Sequence, residues 1–178
     1  MADRVPETTS GQLLIASPAL GDFFHRAVVL VVDHNDEGAF GLVLNRPSES
    51  TVSEAVPGIL DGAAGDELLH IGGPVQPSAV TAIAEHDDPG DATKLLVGAV
   101  GMVDLDSIPS LSRARVFAGY TGWGPGQLDA ELAAEGWILD DARVDDAFAE
   151  GDLWAAALER KGGEYALLAR MPVDPALN

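Results

Sequence analysis

Apolar residues come in short clusters along the chain, separated by polar stretches rich in glycine and proline, and that rhythm predicts strands. Residues 12–16 form the first cluster, closed by Ser17-Pro18. Residues 27–32 are continuous and β-branched, as expected of a strand covered on both faces. Residues 39–44 follow after Asp33-His34-Asn35-Asp36-Glu37-Gly38, and a polar, turn-forming stretch between two apolar runs predicts a hairpin. Asn45-Arg46-Pro47-Ser48 then breaks the second strand. Thr51-Val52-Ser53-Glu54 has the spacing of a capping box, which predicts a short helix ending near Pro57-Gly58. Residues 61–66 read as an acidic loop, and residues 68–71 as a brief strand running into Gly72-Gly73-Pro74.

Further along, residues 79–84 and 94–103 are two more strands, parted by an acidic turn at Asp87-Asp88-Pro89-Gly90. Residues 113–118 alternate basic and apolar side chains, the pattern of a strand with one wet face. Gly119-Tyr120-Thr121-Gly122-Trp123-Gly124-Pro125-Gly126 is then expected to loop into a helix over residues 127–135, with Leu128 and Leu132 on one side and Gly136 closing it. Residues 137–139 predict a late strand, and Asp152 caps a helix through Arg160 that Gly162-Gly163 ends. Residues 164–170 fit helix or strand equally. Strands following one another without a helix between each pair predict an α/β protein of the α+β type. Its sheet should be mixed and largely antiparallel, with peripheral helices. The 178 residues hold no repeat, linker or low-complexity tract, so one domain is expected, with residues 1–10 as a flexible N-terminal tail.

Composition narrows the function classes. Apolar residues make up 47% of the chain, enough for a globular core, while no apolar run has the length of a membrane span. The N-terminus lacks the basic-then-apolar pattern of a signal peptide, and cysteine is absent. Both fit a cytoplasmic location, and the second excludes disulfides and thiolate metal sites. Against 29 acids stand 10 Lys and Arg, for a formal charge of -19, which repels phosphate backbones and argues against direct nucleic-acid binding. The nucleophile elbow, the phosphate loop, the dinucleotide fingerprint and H-E-x-x-H are all missing. The chain therefore carries no recognisable catalytic motif, and no cofactor or metal is expected.

Several constellations remain. His34 sits among Asp33, Asn35, Asp36 and Glu37, a donor set that either gathers a metal with distant ligands or satisfies a polar turn. Arg26 and Arg46 bracket the hairpin at the end opposite His34, where they either clamp an anion or pair with local acids. Gly72 and Gly73 either expose amides to a pocket or let the backbone turn a corner. In the glycine-rich segment, Tyr120, Trp123 and Gln127 either face a ligand near a helix start or, for Trp123, plug the core.

Taken in order, these segments resemble the bacterial YqgE/AlgH family. The similarity lies in residues 12–20 with Arg26, in Asp33-His34-Asn35, in Gly41-Leu42-Val43-Leu44-Asn45-Arg46-Pro47 and in Gly72-Gly73-Pro74-Val75. It continues in Gly119-Tyr120, Gly122-Trp123 and Gly126-Gln127-Leu128 with Glu131-Leu132. One departure is Asp22-Phe23-Phe24-His25-Arg26, which lacks the family's proline and is one residue shorter. The resemblance implies a strongly bent mixed sheet, partly closed like a barrel, with helices outside. It brings no catalytic residues, and some members are described as transcriptional regulators.

The combined expectation is a cytoplasmic regulatory or interaction protein acting through a protein partner or a small ligand. The alternative is an enzyme or anion-binding protein with a cleft near Arg26 and the Trp123 segment. In that version Arg26 holds an anion and His34 is the acid or base. Ligand contacts are expected among Arg26, His34, Asn35, Asn45, Arg46, Gly72, Gly73, Tyr120, Trp123 and Gln127. Oligomeric state does not follow from these residues.

Overall fold

The first three apolar runs pair antiparallel as β1 (Gln12–Ala16), β2 (Val28–Asn35) and β3 (Gly38–Val43), in a computed structural model that describes residues 8–173. Side chains along a strand alternate between faces, so each run splits between two cores. Leu13, Ile15, Val28, Leu30, Val32 and Leu42 join one cluster, while Leu14, Ala16, Val29, Val31 and Val43 join another. Burial on both faces is why these segments read as unbroken apolar runs. Helix α4 (Leu153–Lys161) covers the first face with Leu153, Trp154, Ala157 and Leu158. Helix α3 (Gln127–Ala133) covers the second with Leu128 and Leu132.

The hairpin turn is tighter than expected. Strand pairing continues to Asn35 opposite Gly38, so only Asp36 and Glu37 lie between, and the Asn35 side chain accepts the backbone N–H of Glu37 at 2.8 Å. Beyond β3, β4 (Pro47–Thr51) pairs with β5 (Leu68–Ile71). Thr51 caps α1 (Val52–Ala55) with both bonds of the capping box present. The acidic stretch expected as a loop holds a short helix, α2 (Asp61–Ala64). Strand β6 (Val75–His86) is longer than the expected 79–84. The expected strand over 94–103 is two, β7 (Lys94–Val97) and β8 (Val100–Met102), folded back at Gly98, whose φ of +55° suits glycine.

Only residues 124–126 of the expected glycine-aromatic loop turn into α3, and residues 119–123 belong instead to β9 (Leu111–Trp123). Its first part pairs with β6, its middle lies parallel to β5, and Gly41 of β3 faces Thr121 near its end. Among the described residues the strand order is β10-β1-β2-β3-β9-β6-β8-β7, where β10 is Trp137–Asp141; β5 adds to the side of β9 and carries β4. The sheet is mostly antiparallel and does not close into a barrel. Helix α5 (Glu164–Leu168) resolves the undecided segment, and no helix among the described residues is long and apolar enough to cross a membrane. Of the tail expected over residues 1–10, residues 1–7 lie outside the described residues, whereas Thr9 is fully buried.

Candidate functional site

Arg26 and His34 stand at the two ends of β2, with roughly 20 Å of extended chain between Val28 and His34 at about 3.3 Å per residue. No small ligand can bridge them. His34 is 6% exposed and knits three segments together. Its Nδ1 accepts the backbone N–H of Thr9 at 3.1 Å, which leaves Nε2 to donate to Asp129 on α3 at 3.2 Å. Among the described residues no three His, Cys, Asp or Glu side chains converge to hold a metal.

The two arginines diverge. Arg26 lays its guanidinium 4.4 Å over the ring of Trp154, donates to the carbonyl of Met171, and lies 3.9 Å from Asp152. Arg46 donates to the carbonyls of Phe23 and His25 and thereby ties down the loop before β2; its burial pushes the guanidinium below its ordinary pKa. Asn45 is fully engaged, its Oδ1 accepting from Val28 N–H and its Nδ2 donating to the carbonyl of Arg26, each at 2.9 Å. Arg26 and Trp123 line separate clefts.

Gly72 and Gly73 let β9 pass. A methyl group at Gly73 would fall 2.1 Å from the Tyr120 backbone, and one at Gly72 would fall 2.4 Å from the carbonyl oxygen of Gly119. Gly119 turns with φ +73°, and Thr121 Oγ1 donates to the Gly72 carbonyl at 3.1 Å. Trp123 is core: 7% exposed, it meets Trp137 edge-on at 6.1 Å between ring centres. Tyr120 packs on Phe40 at 4.7 Å, and Gln127 accepts the Gly124 N–H through its own side chain at 3.0 Å. Gly72, Gly73, Gly119 and Thr121 thus build a strand crossing, while Trp123 fills the neighbouring core.

A different cluster opens on a cleft of about 320 Å³ between β5, β9 and residues 149–151. The sheet register assembles it. His70 on β5 lies beside Phe117 on β9, and Arg115, two residues back, shares that face. The two rings meet at 6.0 Å, and both His70 and Arg115 are nearly buried, at 6% and 5% exposure. Arg115 donates from Nη1 to the Ala149 carbonyl at 2.9 Å and from Nη2 to the Phe148 carbonyl at 3.2 Å, which draws that loop onto the sheet. Desolvation lowers its pKa, opposed by the nearby charges of Glu67 and Glu150, which also line the cleft.

His70 is the chemically open group. Its Nδ1 lies 3.0 Å from the Leu68 carbonyl, which can only accept, so Nδ1 carries the proton and Nε2 holds a lone pair. Among the described residues nothing bonds to that Nε2, and it is not sealed from solvent as the Nε2 of His86 is. Burial, then the charge of Arg115, push the imidazole down to about 4, against the weaker pull of the Leu68 carbonyl. The ring is therefore neutral near pH 7 and acts as an acceptor or base.

Of the residues expected from sequence, Asn45 lines this cleft, whereas His70, Arg115, Glu67 and Glu150 were outside the expectation. One signal was available. A histidine inside Leu68-Leu69-His70-Ile71 and an arginine before Val116-Phe117 place titratable groups on buried strands.

A family model described as AlgH-like matches residues 13–166 of this chain. A UPF0301 protein of Streptomyces avermitilis is 40% identical over an alignment of 185 residues, covering 95% of this chain and 95% of that protein. A UPF0301 protein of Thermobifida fusca is 41% identical over 195 residues, covering 99% of this chain and 98% of its own. The crystal structure of a Corynebacterium diphtheriae protein matches with a TM-score of 0.84 at 27% identity, covering 95% of this chain and 94% of that one. The solution structure of the AlgH protein from Pseudomonas aeruginosa matches at 0.70 with 28% identity, covering 97% of this chain and 98% of its own.

Proposed function

The chain belongs to the AlgH-like family, and from that footing we propose that it is a cytoplasmic regulatory protein that receives a small ligand in the His70 cleft and signals occupancy to a protein partner. What supports this reading is His70, a nearly buried residue of the cleft wall with no bond to its Nε2 among the described residues. The protein leaves that acceptor to solvent, and a ligand N–H or O–H can take the place of water there.

The route to a partner follows from the cleft's third wall. Residues 149–151 hang between the sheet, through Arg115, and helix α4 just beyond. A ligand gripping that wall alters how α4 sits, and α4 packs against α5, beyond which the apolar side chains of Met171 and Val173 stand exposed. A charge of -19 supports control through a protein partner in preference to direct contact with DNA.

A thermal-shift screen of small metabolites tests this. Ligands of the cleft raise the melting temperature of the wild-type protein by mass action and lose that effect in His70→Phe. Hits that stabilise both proteins equally, or a screen with no His70-dependent hit, contradict it.

A further inference from the structure

The cleft's donors and acceptors are unevenly available, and that imbalance selects a ligand class. The inference rests on the ligand-binding reading above. Arg115 directs both terminal nitrogens at main-chain carbonyls, and Asn45 has both side-chain atoms engaged. The acceptors on the lining are Nε2 of His70 and the carboxylates of Glu67 and Glu150, and they outweigh the N–H groups that Arg115 and Asn45 have left over. Two carboxylates against one guanidinium leave the lining with a net charge of about -1, inside a chain whose overall field has the same sign. An anion entering here meets carboxylates and a lone pair. A cation carrying N–H donors meets its complement.

We infer that the cleft takes a small protonated aliphatic amine, which donates a hydrogen bond to Nε2 of His70 while Glu67 and Glu150 balance its charge. Leu68, 40% exposed, and Pro47 offer an apolar wall for the alkyl portion. A space of about 320 Å³ is at the small end of ligand sites, which suits a short diamine better than a nucleotide. Arg115 stays a positioning residue that fixes the loop carrying Glu150. The charge-assisted bond to the imidazole then supplies direction, because a diffuse counter-ion needs no acceptor at that one atom.

Titration calorimetry and amide-resolved NMR near pH 7 test this with 1,4-diaminobutane as the probe, and 1,4-butanediol and succinate as neutral and anionic matches. The diamine is expected to saturate one site, to perturb the amides around residues 67–70 and 149–151, and to persist at physiological salt. Glu150→Gln, on an exposed loop where folding is undisturbed, should weaken it at least about tenfold, and His70→Phe should abolish it. Unsaturable binding that is indifferent to His70 would reveal only counter-ion attraction and overturn the inference. Succinate binding in the cleft, with no diamine effect, overturns the amine assignment while leaving the ligand-binding reading in place. If none of the three perturbs the cleft, the amine assignment fails, and the metabolite screen with its His70→Phe control decides the broader reading separately.

Discussion

His70 couples folding to pH. In the folded chain its imidazole sits at about 4, mainly through burial, whereas an exposed histidine titrates near 6.5. Between those values the unfolded chain binds a proton that the native chain does not, so acid favours unfolding. The contribution is fully present above about pH 6.5 and is lost as pH falls toward 4, with a slope of at most about 1.4 kcal/mol per pH unit. Urea unfolding of wild type and His70→Gln across that window checks this. The difference between the two proteins should narrow as pH falls, and a constant difference would show that His70 titrates alike in both states. Glycines give a second test at this scale. Gly73→Ala should cost roughly 3 kcal/mol or more, because backbone atoms of Tyr120 occupy the methyl's place. Gly124→Ala meets only the Gln127 side chain, at 3.9 Å, and should stay within about 0.5 kcal/mol. Thermal melts of the pair separate crowding from flexibility.

At the scale of elements, local signals and distant ones fared differently. The capping residues Thr51 and Asp152 are legible in the sequence because a cap bonds within its own turn. Strands β1 and β2 are legible because an apolar run buried on two faces needs no knowledge of its partner. Trp123 and its glycines read as a loop, since glycine is weak in strands, yet the chain crossing at Gly73 demands Gly119 and that demand is not local. Strand β4 is hidden in a polar stretch because β5 alone gives it a reason to extend. The His70 cleft is hidden for the same reason: Glu150 and His70 are eighty residues apart in sequence, and only the loop fastened by Arg115 unites them. That loop follows a short turn held by Asp146, which is 4% exposed and receives both terminal nitrogens of Arg160 at 2.8 Å. Asp146→Ala leaves Arg160 without its buried partner and should cost about 3 kcal/mol. Hydrogen exchange should quicken in residues 144–151 while β1 and β2 stay protected; an unchanged loop would detach the ion pair from the cleft.

Across the whole molecule, β9 is the shared member. It touches β3, β5 and β6, and so joins the core under α4 to the core beneath α1 and α2. The cleft opens where that strand, β5 and the loop before α4 meet, a place from which ligand contacts reach several elements at once. The crossing glycines let β9 pass the backbone after β5, and His70 brings an acceptor to the cleft beside it. His70 holds that acceptor in one fixed tautomer, which long-range proton–nitrogen NMR of the imidazole rings reads out. His70 should show a protonated Nδ1 and a bare Nε2 throughout about pH 5 to 8, with the Nε2 resonance moving when a cleft ligand is added. A His70 ring that titrates near 6.5, or that carries its proton on Nε2, would mean that the cleft offers no such acceptor.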